Sequence, residues 1–174
     1  MATRLTAVLA ASCLFLASLP AFAADKPTDP QIAHIAYTAG VIDIDAAKQA
    51  LKKAHNKDVK AFAEDMLRDH KAVNDQALAL VKKLKVTPED NATSEALTKA
   101  AKAEHAKLAK LSGAAFDKAY VANEVAFHKQ VNGALKDLLI PSATNPQLKD
   151  LLETGLKIFQ GHEEHAEHVQ SELK

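Results

Sequence analysis

The 174 residues carry 22 Lys and Arg against 22 Asp and Glu, a formal net charge of zero that leaves no basic surplus for neutralising nucleic-acid phosphates. Trp is missing, Gly and Pro number 5 and 6, and aromatic residues make up 5%, a profile that favours helices over a sheet protein. The length suits one domain with a sizeable core, and the unusual counts are one Cys and eight His.

Met1 to Arg4 supplies one positive charge, and Leu5 to Leu19 is an apolar run without a charge. Pro20 and Ala21-Phe22-Ala23 follow, the small-x-small pattern read by signal peptidase, so residues 1–23 are expected to be a cleaved signal peptide and 24–174 a single exported domain. The run is short for a membrane span, and Ala10-Ala11-Ser12 makes a poor lipobox before Cys13. Cleavage removes Arg4 and Cys13. The mature chain then carries one net negative charge and no cysteine, which excludes disulfides, thiolate metal sites and a cysteine nucleophile. The expected location is the periplasm of a bacterial envelope, with no stable membrane insertion of the mature chain.

Thr28-Asp29-Pro30 reads as a helix start, a capping oxygen followed by Pro at the first helical position. Ile32, Ala36, Ala39, Asp43, Ala46 and Ala50 then recur at helical spacing to about Ala54. A second helix is expected from Lys57 to Lys85, with Val59, Ala63, Met66, His70, Val73, Ala77, Val81 and Leu84 on one stripe before Thr87-Pro88 ends it. Ser94 is read as the cap of a shorter Ala/Lys-rich helix reaching Leu111, and Ser112-Gly113 is the next break. A third long helix covers Ala114 to Leu139 with Pro141 as its stop, and Asn145-Pro146 opens the last. No segment alternates at period two for long enough to be a strand. Four amphipathic stripes of this length predict an all-α protein, an antiparallel four-helix bundle with one extra short helix between the second and third long helices.

Polar residues interrupt those stripes. At about 100° per residue, Asp43 falls at the centre of the first stripe and His70 at the centre of the second, with Asn74 beside it. On the third, Glu124 and His128 lie on the core line, with Asp117 below and Asn132 beside; on the fourth, His162 is central and His165 at the rim. Asp43, His70, His128 and His162 all sit near the midpoints of their helices, so a bundle brings them level. Unpaired burial of such groups costs several kcal/mol each, which makes the layer either a ligand set or a closed hydrogen-bond network. His70-Lys71-Ala72-Val73-Asn74 and His128-Lys129-Gln130-Val131-Asn132 echo one another, as expected if two helices carry equivalent parts of one site.

The expected metal ligands are therefore Asp43, His70, Glu124, His128, His162 and His165. An imidazole-rich set suits zinc, copper or iron more than calcium or magnesium. A di-iron bundle site wants Glu-x-x-His on two helices, and that spacing is absent from the core line. No Ser-His-Asp arrangement or Gly-rich phosphate loop appears, so no catalytic residue is assigned. The leading expectation is a metal-binding protein that serves binding or stress tolerance more than turnover. The alternatives are a metal-free structural or interaction protein of the envelope, and a small oxidase using iron and oxygen.

Phe62-Ala63-Glu64-Asp65-Met66-Leu67-Arg68-Asp69-His70 with Asn74, then Leu111-Ser112-Gly113-Ala114-Ala115-Phe116-Asp117-Lys118-Ala119-Tyr120-Val121 with His128, and finally His162, resemble a bacterial domain-of-unknown-function family of exported envelope proteins. The resemblance runs from about Asp29 to the C-terminus. It implies a ferritin-like four-helix bundle and export, and supplies no activity. It also marks Asp69, His70, Asn74, Phe116, Asp117, Tyr120, His128 and His162 as motif positions, which adds Asp69 to the supporting polar residues Asn74, Asp117 and Asn132. Family members often carry a Met-Val pair and an Asp just before the last motif His of the third helix, so Glu124 is a departure particular to this chain.

Overall fold

The structure is a computed structural model and describes residues 26–173. The expected signal peptide, Cys13 included, lies outside the described residues. Helix α1 spans Asp29–Lys53, α2 Lys57–Leu84, α3 Ala92–Ala109, α4 Gly113–Ala134, α5 the single turn Ile140–Ser142, and α6 Pro146–Glu172. Among the described residues there is no strand, and no helix there is long and apolar enough to cross a membrane.

Local chemistry explains the boundaries. The Asn56 side chain accepts from the Asp58 and Val59 amides and starts α2, and Asn145 does the same for α6 through Gln147 and Leu148. Lys85, left-handed at φ 55°, ends α2. The cap of α3 is Asn91 and not Ser94: the Asn91 side chain accepts from the Ser94 amide, and the Ser94 hydroxyl accepts from the Asn91 amide in return. Glycine at 113 is required because its φ is +55° where α4 begins.

The end of α4 differs from expectation. From Leu135 to Leu139 the chain widens into a π-helix, with the Ile140 amide donating to the Leu135 carbonyl. In an α-helix the ring of Pro141 would press on the Asp137 carbonyl four residues back. The wider turn moves that carbonyl aside, so the helical path continues through Pro141 to Ser142 instead of stopping before it.

Helix α1 packs most extensively on α2, and α4 on α6, with further contact of α6 on α2 and α4 on α1. Asp43 faces His70 and the Tyr37 carbonyl faces Asn74, so α1 and α2 run in opposite senses. Asp69 faces His162 while Asp65 faces His165, which sets α6 against α2 in the same manner. The extra helix α3 begins and ends two or three residues earlier than the sequence pattern suggests and lies along α1. Asn91 reaches the Gln31 carbonyl at one end, while Gln49 and Lys53 reach the His105 and Ala109 carbonyls at the other.

Two apolar clusters fill the interior. Phe62, Met66, Phe116, Tyr120, Ala166 and Val169 belong to one, and Ile32, Ile35, Leu135, Leu139, Leu148 and Phe159 to the other. Asp43 on α1, His70 on α2, His128 on α4 and His162 on α6 lie between these two sets along their helices.

Candidate metal centre

Helical periodicity turns Asp43, His70, Glu124, His128 and His162 inward, and each is at most 6% exposed. Three imidazoles converge. The ring centroids of His70 and His162 are 5.1 Å apart, and His128 is 5.6 Å from each. One ligand atom from each of His70, His128 and His162 lies within 4.8 Å of the others. A second set, Asp43, Glu124 and His128, meets the same limit and shares His128 with the first.

The hydrogen bonds show which atoms are committed. His128 Nδ1 donates to the Glu124 carbonyl at 3.0 Å, leaving Nε2 buried and without a partner among the described residues. His162 Nε2 bonds Asp69 Oδ2 at 3.1 Å, leaving Nδ1 in the same condition. Both nitrogens of His70 lack a hydrogen-bond partner there, Nδ1 standing 3.5 Å from Asp43 Oδ2. Orphaned imidazole nitrogens that point to one place are costly unless something accepts their lone pairs. A tetrahedral ion bound at about 2.1 Å needs donors about 3.4 Å apart, so small side-chain rotations close the set.

Burial sets the charge state. It holds His128 down at about 4 and His70 well below the ordinary imidazole value, the neighbouring imidazoles adding to the effect on His70. His162 is lowered too, again by burial, with Asp69 opposing. All three are therefore neutral donors at neutral pH. Burial pushes Glu124 up to about 8 and raises Asp43 well above the usual carboxylate range; Glu124 beside it and a hydrogen bond between the two carboxyls raise Asp43 further. Both carboxyls thus favour their protonated forms, and the orphaned Glu124 Oε2 belongs to the same layer. Tyr120, buried one turn before Glu124, has its hydroxyl held un-ionised by burial and by those carboxyls.

The remaining expected residues have separate tasks. His165 does not join the cluster: three residues beyond His162 it turns to the α2 rim, half-buried, edge-on to Phe62 at 5.1 Å and 3.9 Å from Asp65. Asp117 is buried but accepts from the His55 and Asn56 amides, tying α4 to the α1–α2 link and away from the imidazoles. Asn74 donates to the Tyr37 carbonyl, and Asn132 donates to Glu163. Asp69 contacts the cluster directly through His162. Two contributors escaped the sequence reading. Phe159 stacks on His70, and its place on the His162 stripe was the available signal; Arg68 grips Asp69 and Asp65, and it sits inside the Asp69-His70 motif.

Fold and site together define an all-helical protein with a buried imidazole cluster of metal-ligand type. The chain belongs to the family described as a domain of unknown function, DUF4142, matched over residues 17–169. No curated protein matches it in sequence. Among solved structures it is similar to the crystal structure of a DUF305 fragment from Deinococcus radiodurans, with TM-score 0.73 and 17% identity over 83% of this chain and 96% of that one. It is also similar to CopM in the Cu(II)-bound form, with TM-score 0.65 and 15% identity over 86% of this chain and 100% of that one. At such identities the likeness is one of fold.

Proposed function

We propose that this protein binds a transition metal ion through His70, His128 and His162, with Asp43 and Glu124 as the adjoining carboxyl pair. The observation that carries the reading is the meeting of three neutral imidazoles from three helices in one buried layer, their ligand atoms within 4.8 Å of one another and each ring with a buried nitrogen that has no hydrogen-bond partner among the described residues. Three imidazoles suit copper, zinc or iron, and CopM, similar in fold, has a Cu(II)-bound form. The role is binding or metal tolerance. Asp43, Glu124 and His128 supply two carboxylates and one shared imidazole, fewer than the four carboxylates and two His of a di-iron oxidase.

The same reading takes the fold as an antiparallel four-helix bundle of ferritin-like kind, with α3 as the crossover. The opposed directions of α1 against α2 and of α2 against α6 support it. Export to the periplasm after cleavage at Ala23 rests on the N-terminal sequence, and intact-mass measurement of protein from the periplasmic fraction tests it.

The deciding experiment is metal analysis of protein purified without a His-tag. Near-stoichiometric copper or zinc is expected, lost in His128→Leu, with stabilisation of about 2.7 kcal/mol at a hundred-fold excess over Kd. No retained metal and no thermal stabilisation by zinc, copper or iron overturns the reading. A metal-free layer that fixes helix register would then stand, with His70→Leu neutral or stabilising.

A further inference from the structure

Of the three imidazoles, His162 alone is held by a side chain that reaches the surface. His128 is held by a main-chain carbonyl, and His70 leans on buried Asp43. Asp69 is about a quarter exposed and takes His162 Nε2 on Oδ2 at 3.1 Å. Arg68 grips the same carboxylate with two prongs, Nε to Oδ1 at 2.7 Å and a terminal nitrogen to Oδ2 at 3.0 Å, while its other terminal nitrogen reaches Asp65 at 2.6 Å. A carboxylate between a guanidinium and an imidazole is ionised and only accepts, so the imidazole must donate. Its one N–H is thereby spent on Asp69.

We infer that Asp69, braced by Arg68, is a positioning residue that fixes His162 as its Nε2–H tautomer and presents the Nδ1 lone pair to the centre. The donor set is then mixed, with Nδ1 from His162 and Nε2 from His128. The metal role of this assignment rests on the reading above; the tautomer does not. A carboxylate behind a ligating imidazole fixes ring orientation and strengthens the donor, and losing one lowers metal affinity 10–100-fold in comparable sites.

Long-range ¹H–¹⁵N correlation spectra of the metal-free protein test the assignment directly, with the His162 signals identified by their loss in His162→Gln. His162 is expected to carry its proton on Nε2. Asp69→Ala should release it to a mixture of tautomers and weaken zinc binding about 10–100-fold in a competition titration. Asp69→Asn keeps an accepting oxygen, so it should hold the tautomer and recover most of the affinity. A residue that merely supports the fold would lower the melting temperature without moving the tautomer. A proton on Nδ1 in the parent protein, or an unchanged tautomer in Asp69→Ala, overturns the assignment. The parent spectrum needs no variant to fold. If the parent shows the expected tautomer yet takes up no zinc, copper or iron, the metal reading falls and the assignment stands.

Discussion

The imidazole of His70 lies face to face with the ring of Phe159, 4.6 Å between centroids and 4° from parallel. His128 meets the same ring edge-on at 6.4 Å. Phe159 thus closes the cluster on the side of the second apolar core and belongs to both. It contributes to the low dielectric that keeps the imidazoles neutral.

Phe159→Ala should therefore cost about 3–5 kcal/mol, the range for emptying a buried aromatic site. Phe159→Leu keeps most of the volume but loses the stack, so about 1–2 kcal/mol is expected. Urea unfolding measures both, and a Phe159→Leu variant as stable as the parent would show that the stack contributes nothing beyond volume.

Gly40 on α1 faces Asn74 on α2. A Cβ at position 40 would overlap the Asn74 side-chain amide, which donates to the Tyr37 carbonyl. Gly40→Ala should destabilise by about 1–3 kcal/mol despite its better helix propensity. In Gly40→Ala/Asn74→Ala the clash is gone, so the double variant should lose at least about 1 kcal/mol less than the separate losses combined. Additive losses would place the glycine requirement elsewhere.

Asp43, Glu124, His70, His128 and His162 were legible because a helix fixes side-chain direction by position, and mid-helix height follows from length. His165 stands at the rim, as its position suggests, but the pattern does not say whether a rim residue three positions from a core one turns toward the imidazoles or, as here, toward Phe62 and Asp65. The route of α3 along α1 depends on pairs some 56 residues apart, such as Gln49 with the His105 carbonyl, which no local pattern encodes. Nor did Asp117 betray its partners: a core-line carboxylate looks the same in sequence whether it faces imidazoles or the amides of an interhelix link. The π turn depends on how the chain accommodates Pro141, which reads locally as a simple stop.

Asp117 shows its role through the amides it serves. Removing its carboxylate leaves the His55 and Asn56 N–H groups at a tight reversal without an acceptor. Asp117→Ala should cost about 1–3 kcal/mol, and Asp117→Asn less, since one oxygen remains. Neither should alter metal affinity. A loss of affinity in Asp117→Asn at unchanged stability would return this residue to the metal centre.

Opposed pKa shifts give stability a maximum in pH. With Glu124 raised from 4.5 to about 8, the native protein keeps a proton that the unfolded chain has lost, so stability falls as pH rises through that window. His128, lowered from 6.5 to about 4, does the reverse: its contribution is full above pH 6.5 and is lost as pH falls toward 4. His70 and His162 act in the same sense as His128, and Asp43 in the same sense as Glu124. The maximum is expected near pH 6.5, with roughly 2 kcal/mol lost by pH 8. Glu124→Gln should make the alkaline limb shallower, leaving the part that Asp43 carries, and leave the acid limb in place. Urea midpoints from pH 4 to 9 check both limbs, and a parent curve level from 6.5 to 8 would show that Glu124 ionises freely.

The same shifts set the acid limit of metal binding. Protons compete with a metal for imidazole lone pairs, so a site of ordinary histidines weakens as pH falls through 6.5. Here burial disfavours protonation of the unbound imidazoles: His128 holds its lone pair down to about pH 4, His70 is lowered well below its ordinary value, and His162 is lowered with Asp69 opposing. Zinc or copper affinity should therefore fall much less from pH 7 to about 5 than that of a three-imidazole site on the surface, which would lose about ten-fold per pH unit for each ligand protonated. Competition titrations at pH 7, 6 and 5 in a non-coordinating buffer measure the slope. A steep fall beginning at pH 6.5 would mean that the bound metal sits on solvent-exposed imidazoles, and His165 beside Asp65 would then be the place to look.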